Sequence, residues 1–243
     1  MSATMSSSLP LPHFDFRRAG RALAALLRDP DDLPQVFHII ESLSGTAPAR
    51  LLWGFRRDAN GKRLMRDKPD IVRKLADRAW LRTLPAGSLG RAYLEFVERE
   101  GISAEGIREA SMAERLATAP DVEFMRCRMR DTHDLWHTVT GYQGDVLGEL
   151  SLLAFTLAQH WNSAIALIVF TGLLRGLGQG HTRVVLEGYR RGRKAAWLPP
   201  QDWESMLALP LGDVRARLGV GAPPVYAPVR TSDLRARGVI AAR

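Results

Sequence analysis

Apolar residues recur at three- and four-residue intervals along most of the chain, the spacing that puts them on one face of an α-helix. Phe14 to Leu27 reads this way, with Arg17, Arg18 and Arg21 on the opposite face, and so does Leu33 to Leu43. Two-residue alternation is scarce and β-branched runs are few, so strands are not expected. The Asp58-Ala-Asn-Gly61 stretch has helical flanks and predicts a turn between helices. Helix starts are expected at Gly87-Ser88 after Pro85, at Ser103 before Ala104-Glu105, and at Gln201-Asp202 after Pro199-Pro200. The pattern amounts to about ten helices with no repeat at solenoid period. The expected class is all-α, an irregular multi-helix single domain with a helix-borne metal site. The divisions read as a flexible N-terminal tail over 1–13, a helical domain over 14–220 and a C-terminal extension over 221–243.

Residues 152–174 carry no Asp, Glu, Lys or Arg, and their length matches a bilayer core of about 30 Å. Gln159, His160, Asn162 and Ser163 stand at the middle of the run, where lipid offers them no partner. Buried core helices are therefore expected here. The N-terminus lacks a cationic start followed by an apolar stretch and does not read as a secretory signal.

An apolar fraction of 46% with 25% charged residues is that of an ordinary globular protein. The single cysteine, Cys127, excludes an intrachain disulfide and a cysteine-rich zinc finger. A net charge of +8 invites nucleic acid, but most of the charges are dispersed. The two clusters, Arg190-Arg191-Arg193-Lys194 and Arg126-Arg128-Arg130, read first as solvated helix faces, and no nucleic-acid partner is expected.

The chemistry concentrates at His133-Asp-Leu-Trp-His137. Histidines four apart stack on one helix face, where their nitrogens converge on one ion. Asp131 or Thr132 is placed to cap that helix. Glu149 lies twelve residues on, about 18 Å along an unbroken helix, so the helix has to break. Gly141, Gly144 and Asp145 supply a loop and a new N-cap that return Glu149 to the histidines. Two imidazoles with one or two carboxylates suit zinc, iron(II), manganese or cobalt. Asp134 points about 100° away from His133 on the helix, which leaves it either a ligand after a bend or an acceptor that fixes a histidine tautomer. Arg130, three residues before His133, is a candidate substrate-carboxylate contact, with a pairing to Asp131 or Glu123 the more economical role. His160, in the apolar run, reads as a hydrogen-bonded core histidine, and His13, His38 and His181 carry no partner pattern.

The spacing from His133 through His137 to Glu149 resembles the signature of the Coq-four family of ubiquinone (coenzyme Q) biosynthesis. Leu84-Pro-Ala-Gly-Ser-Leu-Gly90 leading to Tyr93 and Phe96, Met129-Arg-Asp-Thr-His133, Tyr189-Arg-Arg-Gly-Arg-Lys194, Asp202-Trp-Glu204 with Pro210-Leu211, and Val214-Arg-Ala-Arg-Leu-Gly219 are similar to that family in the same order. The resemblance implies an all-α protein holding a divalent metal, zinc by resemblance, through His133, Asp134, His137 and Glu149. It implies a peripheral membrane surface, a polyprenylated quinone precursor as substrate, and other quinone-biosynthesis proteins as partners; self-association is left open.

The family's reaction replaces the C1 carboxylate of a polyprenylated 4-hydroxybenzoate precursor by hydroxyl, an oxidative decarboxylation in which His133, His137 and Glu149 act through the metal. An alternative is a non-catalytic lipid-binding scaffold that organises the pathway's enzymes. A helical metal-dependent phosphohydrolase is the weaker rival, because a second His-Asp pair is missing. The Arg- and Ala-rich composition looks bacterial and implies a cytoplasmic, membrane-associated protein; a eukaryotic source implies the matrix side of the mitochondrial inner membrane. The apolar segments over 147–177 are either a groove for the prenyl tail or core packing.

Overall fold

The structure, a computed structural model, describes residues 14–106, 119–174, 181–238 and 240. The tail expected over 1–13 lies outside them. The fold is all-α, and the described residues form no strand beyond an isolated bridge between Ser88 and Pro210.

Helices α1 (Phe16–Arg28) and α2 (Leu33–Leu43) form an antiparallel pair at one side. Asp15 caps α1 by accepting from the Arg18 amide, and Ala19 and Ala22 bury against Ile39 and Leu43. Helices α3 (Ala47–Arg57) and α4 (Ala59–Asp67) follow, with Asp58 alone between them. The turn expected over residues 58–61 is thus shorter than the sequence suggests. The Asp58 carboxylate accepts from the Gly61 amide and starts α4 at once, so Asn60 and Gly61 fall in its first turn.

Helices α5 (Val72–Leu75) and α6 (Arg78–Thr83) lead to α7 (Leu89–Glu100), capped by Ser88 as its sequence indicates. Ser103 accepts from the Gly106 amide and opens a helical turn at Ala104. The second half of the chain comprises α8 (Pro120–Asp131), α9 (His133–Thr140), α10 (Val146–Gln159), α11 (Ser163–Leu174), α12 (His181–Lys194), α13 (Trp203–Met206), α14 (Leu211–Leu218) and α15 (Thr231–Ala236). The described helices outnumber the expected ten because α5, α6, α13 and α15 are one-turn pieces, too short to show a period.

The uncharged run becomes two helices, α10 and α11, broken at His160–Asn162. Asn162 caps α11 by accepting from the Ala164 and Ile165 amides and donates to Ser44. Among the described residues no helix is long and apolar enough to cross a membrane. Helix α12 lies in backbone contact with α10. A Cβ at Gly188 would sit 2.3 Å from the Ser151 carbonyl oxygen, and one at Gly192 would sit 2.4 Å from that of Phe155.

The largest core cluster includes Tyr93 and Phe96 of α7, Leu135, Trp136 and Val139 of α9, Phe155 of α10, and Leu198 and Trp203. Helix α9 is therefore wrapped almost completely, with every residue from Asp134 to Thr140 buried. Residues after Gly221 return across this end of the molecule: Val229, Leu234 and Ile240 pack on Leu147, Leu150 and Val185.

Candidate metal centre

Thr132 closes α8 and opens α9, but its hydroxyl donates backwards to the Arg128 carbonyl at 2.8 Å and does not cap α9. Helix α9 ends at Gly141, whose φ of 82° is left-handed. A Cβ there would also meet Pro223 at 2.6 Å, so only glycine fits. Asp145 then caps α10, accepting from the Leu147 and Gly148 amides, and Glu149 stands in the first turn. The break expected from the glycines and the aspartate is the one that forms, and it brings Glu149 back to the histidines.

His137 Nε2 lies 3.1 Å from His133 Nε2 and 3.1 Å from Glu149 Oε1, and His133 Nε2 lies 3.4 Å from Glu149 Oε2. Ligands at about 2.0–2.1 Å from a tetrahedral ion stand about 3.3 Å apart, so each contact has the length of a coordination edge; the two histidines meet different oxygens of Glu149, and with one donor atom from each residue the set lies within 4.8 Å. On its other side the His137 ring donates from Nδ1 to the Tyr142 carbonyl at 3.0 Å, which turns the Nε2 lone pair of the neutral ring towards the cluster. Phe96 stacks on that ring at 5.2 Å. The His137 side chain is 1% exposed, against 29% for His133 and 39% for Glu149. The centre is sealed behind His137 and open at Glu149. The donor set and its orientation fit a divalent cation.

Burial alone would lower the His137 pKa, but the Glu149 charge and hydrogen bond, with Asp134 behind, outweigh it and push it up to about 9. For Glu149 burial acts to raise the pKa and the two histidines overcome it, holding the carboxyl well below its usual range.

Residues 16–224 match the family of the coenzyme Q (ubiquinone) biosynthesis protein Coq4. The chain belongs to the Coq4 family. It is 30% identical over 216 residues to the mitochondrial ubiquinone biosynthesis protein COQ4 of Arthroderma otae, covering 84% of this chain and 76% of that one. It is 30% identical over 210 residues to the mitochondrial COQ4 homologue of Drosophila ananassae, covering 83% and 76%. With the Homo sapiens mitochondrial homologue it shares 28% identity over 176 residues, 70% of this chain and 64% of that one. Among solved structures, a Nostoc punctiforme protein provisionally described as a ubiquinone biosynthesis protein superposes with a TM-score of 0.63 at 22% identity, covering 86% of this chain and all of that one. Family membership connects the chain to ubiquinone biosynthesis.

Within this Coq4-family fold the other candidate residues are distributed as follows. Asp134 is buried beside the cluster, but its carboxylate is not among the three converging donors. Burial raises its pKa against the pull of His133 and His137. Its charge in turn adds to the burial that raises the phenol pKa of Tyr93 on α7. Arg130 pairs with Asp131 at 2.7 Å, the economical role expected for it. His160 ends α10, about 16 Å along the axis from Glu149, and belongs to a different part of the molecule. Its buried Nε2 has no hydrogen-bond partner, unlike the bonded core histidine expected, and burial next to Arg50 pushes its pKa down to about 4.

Both basic clusters contain a buried member, contrary to the solvated reading. Arg191 is 8% exposed and donates to the carbonyls of Thr140, Val220 and Ala222, stacking over Tyr142. Arg215 donates to the Val139 and Thr138 carbonyls. Two guanidinium groups therefore satisfy the last carbonyls of the helix that carries His133 and His137 and oppose the negative end of its dipole. Arg128 is buried too, forked onto Glu204 at 2.7 and 2.8 Å. Nothing local in the sequence distinguishes these arginines from their exposed neighbours.

Proposed function

We propose that this Coq4-family chain carries out the oxidative decarboxylation at C1 of a polyprenylated 4-hydroxybenzoate precursor, with a divalent metal held by His133, His137 and Glu149. The single observation that carries this reading is the convergence of the two histidine Nε2 atoms and the Glu149 carboxylate, in contacts of 3.1, 3.1 and 3.4 Å, closed behind His137 and open at Glu149. A cation bound there would polarise a phenolate or carboxylate oxygen and, if it were iron, manganese or cobalt rather than zinc, would also exchange electrons.

The chain's own residues set the remaining conditions. Tyr142 fixes the His137 tautomer, and Phe96 closes the inner wall against water. Asp134, buried and raised in pKa, is an acid held next to the cluster that can keep or release a proton at its carboxyl. In the overall reaction the ring–carboxylate bond breaks, carbon dioxide leaves and a hydroxyl takes its place. This change needs a two-electron oxidant, for which dioxygen is the candidate.

The apolar helices α10 and α11 are spent largely on the core, through Leu147, Leu150, Phe155, Ile165 and Ile168. Phe170 and Leu174 of α11 remain exposed and are the residues available to a prenyl tail. Membrane association at the periphery draws on another surface. Trp53 of α3 and Trp161 are 61% and 59% exposed; Arg57 stacks over Trp53, and Arg50 bonds the Trp161 carbonyl. Exposed tryptophans among arginines suit an anionic lipid interface.

Purified protein loaded with iron(II), manganese or zinc and given the prenylated precursor under oxygen tests the reaction. Release of one carbon dioxide per hydroxylated product is expected. Tight precursor binding without turnover under every metal would instead favour a non-catalytic scaffold, the reading that Phe170 and Leu174 alone would support.

A further inference from the structure

A segment that runs from Pro223 past residue 224, where the family match ends, crosses the loop joining the two ligand-bearing helices. Its central contact is the Tyr226 hydroxyl, which accepts from the Gln143 amide at 2.9 Å and donates to Asp145 Oδ2 at 2.9 Å. Each bond leads to one side of the metal cluster. The Gln143 N–H and the Tyr142 C=O belong to one planar peptide unit, and that carbonyl accepts from His137 Nδ1. Asp145 is the N-cap of α10, and its own carbonyl accepts from the Glu149 amide at 2.8 Å. Tyr226 therefore stands two linkages from His137 and two from Glu149.

The rest of the segment reinforces the same loop. The Val229 amide donates to Asp145 Oδ1 at 2.8 Å, and its carbonyl accepts from Val146. Pro223 packs where a Cβ of Gly141 would lie, and the Tyr226 oxygen sits 2.6 Å from where a Cβ of Gly148 would lie. Asp145 is 2% exposed, so the four hydrogen bonds of its carboxylate are formed away from competing water.

We infer that Tyr226 is a positioning residue of the metal centre, holding the His137 tautomer and the Glu149 helix in register through a single hydroxyl. The inference rests on the metal reading of the site. It assigns to residues 223–229 the work of a clamp on the geometry of the ligands. Outer hydrogen-bond partners of metal ligands change affinity by roughly 10–100-fold, and one lying a peptide unit further out is expected to act at the lower end, about tenfold.

The test compares the full chain with Tyr226→Phe, which keeps the packed ring, and with Val225→Ala, a fully exposed neighbour on the same segment. Zinc affinity is measured by competition with a chromophoric chelator, and the cobalt(II) form by its visible absorption. Gln143 amide exchange and the His137 Nδ1–H resonance are followed by NMR without metal. The expected result is zinc binding about tenfold weaker and an altered cobalt spectrum in Tyr226→Phe, at a melting temperature that still reports a folded chain, with Val225→Ala unchanged. Zinc affinity within twofold of the parent and an unchanged cobalt spectrum would overturn the inference. If the parent itself binds neither metal, the metal reading fails separately, and the metal-free measurements decide. Faster Gln143 exchange with a shifted or lost Nδ1–H signal in Tyr226→Phe then upholds the positioning role, and unchanged signals overturn it. A Tyr226→Phe chain that unfolds is replaced by Tyr226→Leu, which also removes the hydroxyl from Asp145 and Gln143, read by the same criteria.

Discussion

His137 Nε2 and Glu149 Oε1 meet at 3.1 Å across a loop that separates them by twelve residues. The contact exists because Gly141 ends one helix and Asp145 begins the next, so the whole centre depends on two backbone events as much as on its ligands. Replacing His137 by Ala removes the buried donor and leaves His133 and Glu149 too few to hold an ion. Bound metal is expected to fall below a tenth of an equivalent by elemental analysis, and turnover of the carboxylated precursor to vanish with it. Full turnover by the metal-free variant would dismiss the enzyme reading.

The charge pattern also sets a pH dependence. The fold raises His137, so in the metal-free protein its contribution to stability is complete below about pH 6.5, the free-histidine value, and is lost as pH rises through about 9. The fold lowers Glu149, whose contribution is present above about pH 4.5 and lost as pH falls. Metal-free protein is thus expected to gain most from this pair between roughly pH 4.5 and 6.5. Metal binding runs the other way, because the ion must displace the imidazole proton. Zinc affinity should climb about tenfold per pH unit between 6.5 and 9. Isothermal titration in buffers of differing ionisation enthalpy would count the proton released, and a pH-independent affinity would contradict the assignment.

Arg191→Met removes a buried guanidinium from three carbonyls while keeping much of its volume. Buried acceptors left without donors cost about 1–3 kcal/mol each at the unrelaxed limit, and water will recover part of that. A net loss of about 3 kcal/mol in urea unfolding is expected, together with weaker metal binding as the end of α9 frays. Arg193→Met, two residues on and exposed, should change stability by less than about 0.5 kcal/mol.

Trp53→Ala and Trp161→Ala separate lipid contact from catalysis. Both side chains are mostly in solvent, so the fold should persist. Co-sedimentation with vesicles containing anionic lipid is expected to drop several-fold in the double variant, while zinc content stays at the parent level. Binding equal to that of the parent would place the membrane surface elsewhere.

The convergence of His133, His137 and Glu149 was legible in the sequence because every rule that builds it is local: histidines one turn apart, a glycine stop, an aspartate cap and a glutamate one turn later. Helices α1, α2 and α7 were legible for the same reason. Arg191, Arg215 and Tyr226 were not, since each acts on residues 29 to 83 positions away and looks from its neighbours like surface. The Asp58–Gly61 turn misled because the cap and glycine that often mark a loop also suit a helix that restarts within one residue.

The bond between Tyr226 and Asp145 also has a meaning during synthesis. It spans 81 positions, and at about 5–20 residues per second the ribosome adds them over roughly 4–16 seconds. During that interval His133, His137 and Glu149 already exist without their clamp. A cation that met these side chains on the nascent chain would therefore meet them before Tyr226 could hold the loop.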